Sequence, residues 1–210
     1  MTAASTVPPP RSLTAMQPFF TEHAVNRETA LALLEGLTPT QLAWRPSPTA
    51  WGLADIAGHL ALTTLMSLPA FDMAIAEGHD HAAYSDRRFV GNVLSRATVW
   101  FVEPPVRLHL RSPRQLTPRP RADPAHARQE YRAAQIALEL RLERAAGLDL
   151  THVHVRLAPV RPVRVALGTA FALLLAHERR HLWQAARVRQ AHAFPEANAG
   201  LDQAPPHGRA

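Results

Sequence analysis

Apolar positions recur at helical spacing in four long stretches of the chain, separated by segments rich in proline and glycine. From about Met16 to Leu37, Phe20, Ala24, Leu31 and Leu34 mark a first helix, and Gly36 closes it near its C-cap. From about Leu53 to Glu77, Ile56, His59 or Leu60, Thr63 and Ser67 fall on one stripe of a second helix. Pro69 lies inside it and predicts a kink or break there. A third stretch, about Pro124 to Ala146, places Tyr131, Ala134, Ile136, Leu138, Leu142 and Ala145 at apolar positions, with Gly147 ending it. The fourth runs over residues 166–191, with Ala170, Leu173 or Leu174, His177, His181, Gln184 and Val188 on its buried stripe.

The connections read as irregular. TPTQLAWRPSPTAWGL holds Trp44 and Trp51, and Pro46 and Pro48 forbid helix between them; the two tryptophans read as packing anchors. Residues 78–123 are the least regular part, with His79 and His81 in a solvated loop, a short helix within FVGNVLSRATVWFV, and a Pro/Arg connector after it. THVHVRL alternates like a short strand or extended loop, with His152 and His154 exposed on one side. Residues 1–15 read as a flexible arm and 192–210 as a disordered polar tail, leaving 16–191 as one domain. Four amphipathic helices in one domain predict an all-α four-helix bundle with long irregular connectors.

Composition narrows the function classes. The chain has 210 residues and no cysteine, which excludes a disulfide framework, a thiolate zinc site and a cysteine nucleophile. No apolar run follows a basic start, and no stretch reaches the roughly 18 to 20 apolar residues of a membrane span, so a cytoplasmic protein with no membrane partner is expected. The formal net charge is +6 and every basic residue is arginine, a pattern of G+C-rich coding. The arginines are scattered without an aromatic platform, which argues against nucleic acid as partner. Arg87, Arg88, Arg179 and Arg180 are available to a substrate carboxylate or phosphate, with nothing in the sequence to select among them.

The chemistry concentrates in the fourth helix. His177 and His181, four apart, lie one above the other on one face, where each imidazole can offer a nitrogen to a single ion. A core histidine pair bonded to neighbours is the plainer alternative. His177-Glu178-Arg179-Arg180-His181 also matches H-E-x-x-H, the zinc-peptidase motif in which the glutamate acts as general base. The context disfavours that reading. LWQAAR follows His181 in place of a glycine and third histidine, only Glu196 and Asp202 remain as downstream acidic residues, and no sheet is expected.

LAWRPSPTAWGLADIAGHL, followed after more than a hundred residues by LGTAFALLLAHERRHLWQAARV, resembles the DinB/YfiT-like superfamily of four-helix-bundle metalloproteins. In that superfamily a W-x-P-x-x-x-x-W-S-like segment leads into a helix bearing the first histidine ligand, and a later helix supplies H-x-x-x-H followed by Q. Trp44, Pro46, Trp51 and His59 match the first element; His177, His181 and Gln184 match the second. Gly52 stands where the superfamily often has Ser, which weakens the helix cap. The resemblance covers about residues 16–190. It implies a divalent metal, zinc first and nickel or iron as alternatives, held by His59, His177 and His181 with positions left open. Gln184 and Glu178 are the residues placed behind the ligands, although Glu178, next to His177, would point off the ligand face as a solvated or Arg-paired carboxylate.

Characterised relatives include transferases and an isomerase that use a low-molecular-weight thiol such as bacillithiol or mycothiol. The implied function is therefore a metal-dependent enzyme acting on a small molecule, with thiol-dependent S-transfer ahead of hydrolysis. The alternatives are a non-catalytic, metal-stabilised, stress-associated bundle and the zincin-like peptidase. The resemblance also implies pairing into a homodimer.

Overall fold

A computed structural model describes residues 13–105, 124–157 and 163–196. The expectations for residues 1–12, for the Pro/Arg connector at 106–123 and for the tail at 197–210 lie outside those residues. Among the described residues, six helices and one pair of strands follow in chain order: α1 (Gln17–Leu34), α2 (Pro39–Ala43), α3 (Leu53–Asp80), α4 (Val93–Val102), α5 (Pro124–Arg144), β1 (His154–Leu157), β2 (Val163–Ala166) and α6 (Leu167–Arg189). The four long helices are the four expected, and the fold is all-α. β1 and β2 pair antiparallel, His154 opposite Ala166; β1 lies in THVHVRL, read as a short strand or extended loop, while β2 falls in what the sequence reading had as connector.

Helix directions follow from which residues meet. Phe19 packs on Phe171, Asn26 bonds Glu178, and Arg189 bonds the Leu33 carbonyl, so α1 and α6 run parallel. Arg27 pairs with Glu139 while Arg128 reaches the Leu34 carbonyl, so α5 runs against α1. α3 runs with α5 and against α6, since Asp72 binds Arg141 while His59 meets His177. The result is an up-down-down-up bundle.

The core consists of two apolar clusters stacked along the bundle axis. Phe71, Phe171, Phe19, Leu138 and Leu142 anchor one; Leu42, Ile56, Leu60, Tyr131 and Leu182 anchor the other. Each fully buried Phe or Leu contributes about 1.5–3 kcal/mol of transfer free energy, so the two clusters carry the stability. Between them every long helix turns polar residues inward: His23 and Asn26 from α1, Thr64 from α3, Gln135 from α5, Glu178 and His181 from α6. This belt at mid-height explains two departures from the apolar periodicity. The buried line of α1 is Phe19, His23, Asn26, Ala30 and Leu34, not the Phe20–Ala24–Leu31 line, because polar Asn26 is drawn inward by its bonds to Glu178 and the Leu175 carbonyl. On α5, Gln135 is buried and its neighbour Ile136 faces solvent.

α3 crosses Pro69 without a break and continues to Asp80. Pro69 lies on the exposed side, where a carbonyl freed by its missing N–H can be hydrated. One turn earlier, Ser67 and Thr63 donate to the Thr63 and His59 carbonyls. His79 is therefore in the last helical turn and not in a loop; its Nε2 meets the Arg144 carbonyl at 2.9 Å, while His81 Nδ1 meets the Glu77 carbonyl. His152 is exposed in the turn before β1, and His154 is half-buried in that strand. By length and composition α3 could cross a membrane, contrary to the sequence reading that no stretch could; in the structure it is a core helix of the bundle. After α6 the chain folds back: Phe194 stands edge-on to Trp44 at 5.5 Å, and Gln41 donates to the Pro195 carbonyl. The chain after α6 is thus docked through Phe194 and Pro195.

Candidate metal centre

The connector before α3 sets the position of the first histidine. Thr38 caps α2 in a reciprocal capping box with Gln41. At α3 the Asp55 carboxylate accepts the Gly52 N–H at 2.9 Å and is held by Arg45 at 2.6 Å. Gly52 has no side chain to accept the N–H of Asp55 in return, and the position has no room for one: a Cβ on Gly52 would lie 2.1 Å from the Trp44 carbonyl oxygen. Two turns further along the inner face, His59 is fully buried.

His59, His177 and His181 come together as the sequence predicts. Their ligand atoms all lie within 4.8 Å of one another, and among the described residues they form the group of three such side chains able to hold a metal ion. His59 Nε2 and His177 Nε2 are 3.1 Å apart. Two nitrogens bound tetrahedrally to one zinc at about 2.0–2.1 Å stand roughly 3.3 Å apart, so the spacing fits a shared ion. The rings meet at centroid distances of 4.5–5.2 Å and steep angles, edges converging instead of stacking.

Burial keeps His177 and His181 neutral. Desolvation, then the charge of a protonated His59 and of Arg180, pulls His177 down to about 3. Desolvation with the neighbouring histidines pulls His181 down to about 2. Neutral imidazoles are the protonation state a metal requires. Behind His181, Gln184 Oε1 lies 3.0 Å from Nδ1. That bond makes Nδ1 the donor and leaves Nε2 its lone pair, as ligands held from behind need. Gln184 thus lies in hydrogen-bonding contact with the face of His181 turned from the cluster.

Glu178 does not stand behind the ligands. It is buried, not solvated or Arg-paired, and it faces away from the histidines toward α1 and α5. The Tyr131 hydroxyl donates to Oε1 at 2.7 Å and Asn26 Nδ2 to Oε2 at 3.1 Å. Desolvation raises its carboxyl to about 7 against those two bonds. The aromatic wall of the site was missed as such. Trp51, read as a packing anchor, lies with its ring 4.8 Å from that of His59 and nearly parallel to His181 at 5.8 Å. Of the four arginines, Arg179 is bound to Glu22 and Glu103, Arg180 lies close enough to act on both α6 histidines, and Arg87 and Arg88 are exposed away from the cluster on the chain before α4.

Residues 22–185 match the DinB superfamily. No curated protein and no solved structure matches the chain.

Proposed function

The chain belongs to the DinB superfamily, and from that footing we propose that it is a divalent-metal-dependent enzyme acting on a small molecule, with thiol-dependent S-transfer the leading reaction. The observation that carries the reading is the convergence of three inward-facing histidines from two antiparallel helices, two of them, His177 and His181, held neutral by desolvation. Three imidazoles leave a four- or five-coordinate ion open to exchangeable ligands, whereas structural zinc is usually closed by four protein ligands. Zinc is the first choice, with nickel or iron also compatible with imidazole. An ion held there would supply a thiolate or hydroxide at neutral pH by lowering the pKa of a bound thiol or water. The protein's own part is to present three lone pairs, to hold the His181 tautomer through Gln184, and to cover one side with Trp51, which keeps bulk water off two of the rings. With no cysteine in the chain, a thiol nucleophile would arrive as cosubstrate. The cytoplasm, where small thiols stay reduced, is the fitting compartment.

The peptidase reading loses its base. A carboxylate turned toward Tyr131 and Asn26 cannot reach a water among the histidines. The non-catalytic bundle remains the second reading, because a buried histidine cluster would be stabilised by metal whether or not turnover follows.

Elemental analysis of untagged protein tests the proposal, with wild type beside His59→Ala and His177→Ala. About one divalent ion per chain is expected, lost equally in both variants. Metal retained in His59→Ala would sink the two-helix site. Loaded protein that turns over no thiol–electrophile pair would leave the non-catalytic bundle standing.

A further inference from the structure

Helix α5 carries apolar residues on two faces. One line, Ala127, Tyr131, Ala134, Leu138 and Leu142, is buried in the bundle. A second, Ala133, Ile136 and Leu140, is exposed, Ile136 at 66 % and Leu140 at 48 %. Its alternating spacing of three and four continues to Gln129 before it and Glu143 after it, the repeat with which helices pair along a seam. α3 runs parallel to α5 and shows the same doubling. Leu65, Pro69 and Met73 are exposed outside its core line, Leu65 at 46 % and Met73 at 61 %. Asp72 fixes how the two outer lines sit, since its carboxylate takes both Arg141 and Arg144. By helical phase Leu65 lies about 20° from Asp72 on α3, and Leu140 about 40° from Arg144 on α5, so the two lines flank one seam on the outside of the bundle. Clustered exposed apolar residues of this kind mark interaction sites. The charges around the seam are of both signs. On the α1 flank of α5, Arg132 is bound to Glu35 and Glu139 to Arg27, and Glu143 is exposed. On the α3 flank lie Arg141 and Arg144 with Asp72, and Glu130 with His126. Glu77 and Asp80 are exposed beyond Met73, at the end of α3.

We propose that this α3–α5 face docks a second copy of the chain, related by a two-fold axis perpendicular to the helices at the height of Pro69 and Leu138. Those two residues are level because Asp72, three after Pro69, meets Arg141, three after Leu138. Leu65 and Met73 lie four residues either side of Pro69, and Ile136 and Leu140 two either side of Leu138. Antiparallel pairing about that axis therefore sets Leu65 on Met73 and Ile136 on Leu140 of the second copy, and covers all four. A two-fold axis in the interface plane joins like flanks. On the α1 flank Arg132 lies six residues before the axis and Glu143 five after, so each meets the other across the pair. On the α3 flank Arg144, six after, comes within a turn of Glu130, eight before. An apolar centre with a rim of matched charges is the anatomy of a protein interface, here complementary to itself. An anionic bilayer or nucleic acid would set Glu139 and Glu143 against phosphates. The face runs about 21 Å from Gln129 to Glu143 and is two helices wide, at the small end of specific interfaces, so dissociation on the order of micromolar is expected. The homodimer expected in the sequence reading had no face assigned to it; exposure and helix register supply one.

Sedimentation equilibrium of the untagged full-length protein, from about 1 to 100 µM, tests this. The mass should rise from one 23.1 kDa chain toward two. Ile136→Glu/Leu140→Glu, at exposed positions, should weaken pairing about a hundredfold. Arg132→Glu alone should weaken it about tenfold, and adding Glu143→Arg should restore it, because the exchanged charges still face each other across the axis. The chain has no cysteine, so Pro69→Cys provides a single thiol at the axis. A short bismaleimide should join its two copies in the dimer. Glu77→Cys, eight residues away, puts the two thiols about 24 Å apart along the helices and should not be joined. This cross-link leaves the four apolar residues intact, so it decides the question if the glutamate variant fails to fold. Four results would overturn the proposal: a single-chain mass at every concentration, a dimer that Ile136→Glu/Leu140→Glu leaves intact, a charge exchange that fails to restore pairing, or equal cross-linking at Pro69→Cys and Glu77→Cys.

Discussion

On one side of α6, His177 and His181 meet His59; on the other, Glu178 meets Asn26 and Tyr131. The two clusters lie at the same height in the bundle, adjacent in sequence and similarly buried, yet they are assembled by different rules. In the Glu178 cluster donors face acceptors: one hydroxyl and one amide serve the two carboxylate oxygens, and the group is complete within the protein. In the histidine cluster ring nitrogens of one kind converge, two of them 3.1 Å apart, and a single proton between them is the most they can share. Buried polar groups are normally arranged to satisfy one another. A cluster that does so is part of the scaffold, and one whose lone pairs converge is built to be completed by something else. The difference assigns roles to neighbouring residues that a motif, H-E-x-x-H, would have combined into one machine.

The largest expected effect of breaking that contrast is on the scaffold side. Glu178→Ala strands the Tyr131 hydroxyl and the Asn26 amide in the core and opens a cavity, which should destabilise the protein by about 3 kcal/mol. Chemical denaturation measures it, and the folded fraction should still bind metal at wild-type stoichiometry. Metal loss with stability intact would show that the carboxylate belongs to the histidine site after all.

The two clusters should also pull stability in opposite directions with pH. Folded His177 and His181 have pKa values lowered from 6.5, to about 3 and about 2. Their contribution is therefore full above 6.5 and is lost as pH falls below it, because the unfolded chain takes up protons that the folded one refuses. Glu178 is raised from 4.5 to about 7, so the folded state holds its proton first and stability gains as pH falls from 7 toward 4.5. Each group contributes at most about 1.4 kcal/mol per pH unit. Two histidines opposing one glutamate give a loss of about 1.4 kcal/mol per unit between pH 6 and 5, and buried His23, also lowered by desolvation, adds in the same direction; metal-free protein should therefore lose at least that much, and Glu178→Gln about 1.4 kcal/mol per unit more. Denaturation midpoints across this range decide it; a wild type that gains stability on acidification would reverse the assignment.

How much of this was legible in the sequence follows the same line. The convergence of His59, His177 and His181 was legible because residues at i and i+4 share one face of a helix and because the segment from Trp44 to His59 is specific. The four long helices were legible from apolar periodicity, which the two core clusters enforce. The Glu178 cluster was not legible: its members come from three helices, and reading by hydrophobicity put Asn26 off the buried face of α1. A polar residue on the buried phase of an amphipathic helix, Asn26 after Phe19 and before Ala30, was the available signal. Trp51 was visible but ambiguous, since an aromatic that packs on imidazoles has the same sequence signature as one that packs on leucine. THVHVRL showed a strand's alternation, but its pairing with β2 depends on tertiary contacts that no periodicity announces.

Gln184 sharpens the contrast from the ligand side at smaller magnitude. Gln184→Ala removes the acceptor that holds His181 Nδ1 as donor, and the ring can then present the wrong nitrogen or rotate. Metal affinity should fall about tenfold, the lower end for residues that support a ligand from behind. Competition with a chromophoric chelator reads this directly, while thermal stability of the metal-free protein should stay near wild type because Gln184 is only half-buried. An unchanged affinity would mean that the three rings are held by packing and by Trp51 alone.

The smallest expected change comes from replacing a ligand by a hydrocarbon of similar size. His177→Leu should remove metal binding, yet shift the stability of the metal-free protein by no more than about 1 kcal/mol in either direction. The substitution replaces a polar ring by apolar surface, which favours the folded state, and leaves His59 Nε2 without its 3.1 Å neighbour, which opposes it; the two effects are of similar size, about 1–3 kcal/mol each, and nearly cancel. Set beside Glu178→Ala one residue away, it puts the two rules on a single scale, with thermal denaturation of both variants in chelator as the measurement. A loss for His177→Leu as large as that for Glu178→Ala would show the histidines to be as complete a scaffold as the glutamate cluster. The case for an added ion would then rest on metal analysis alone.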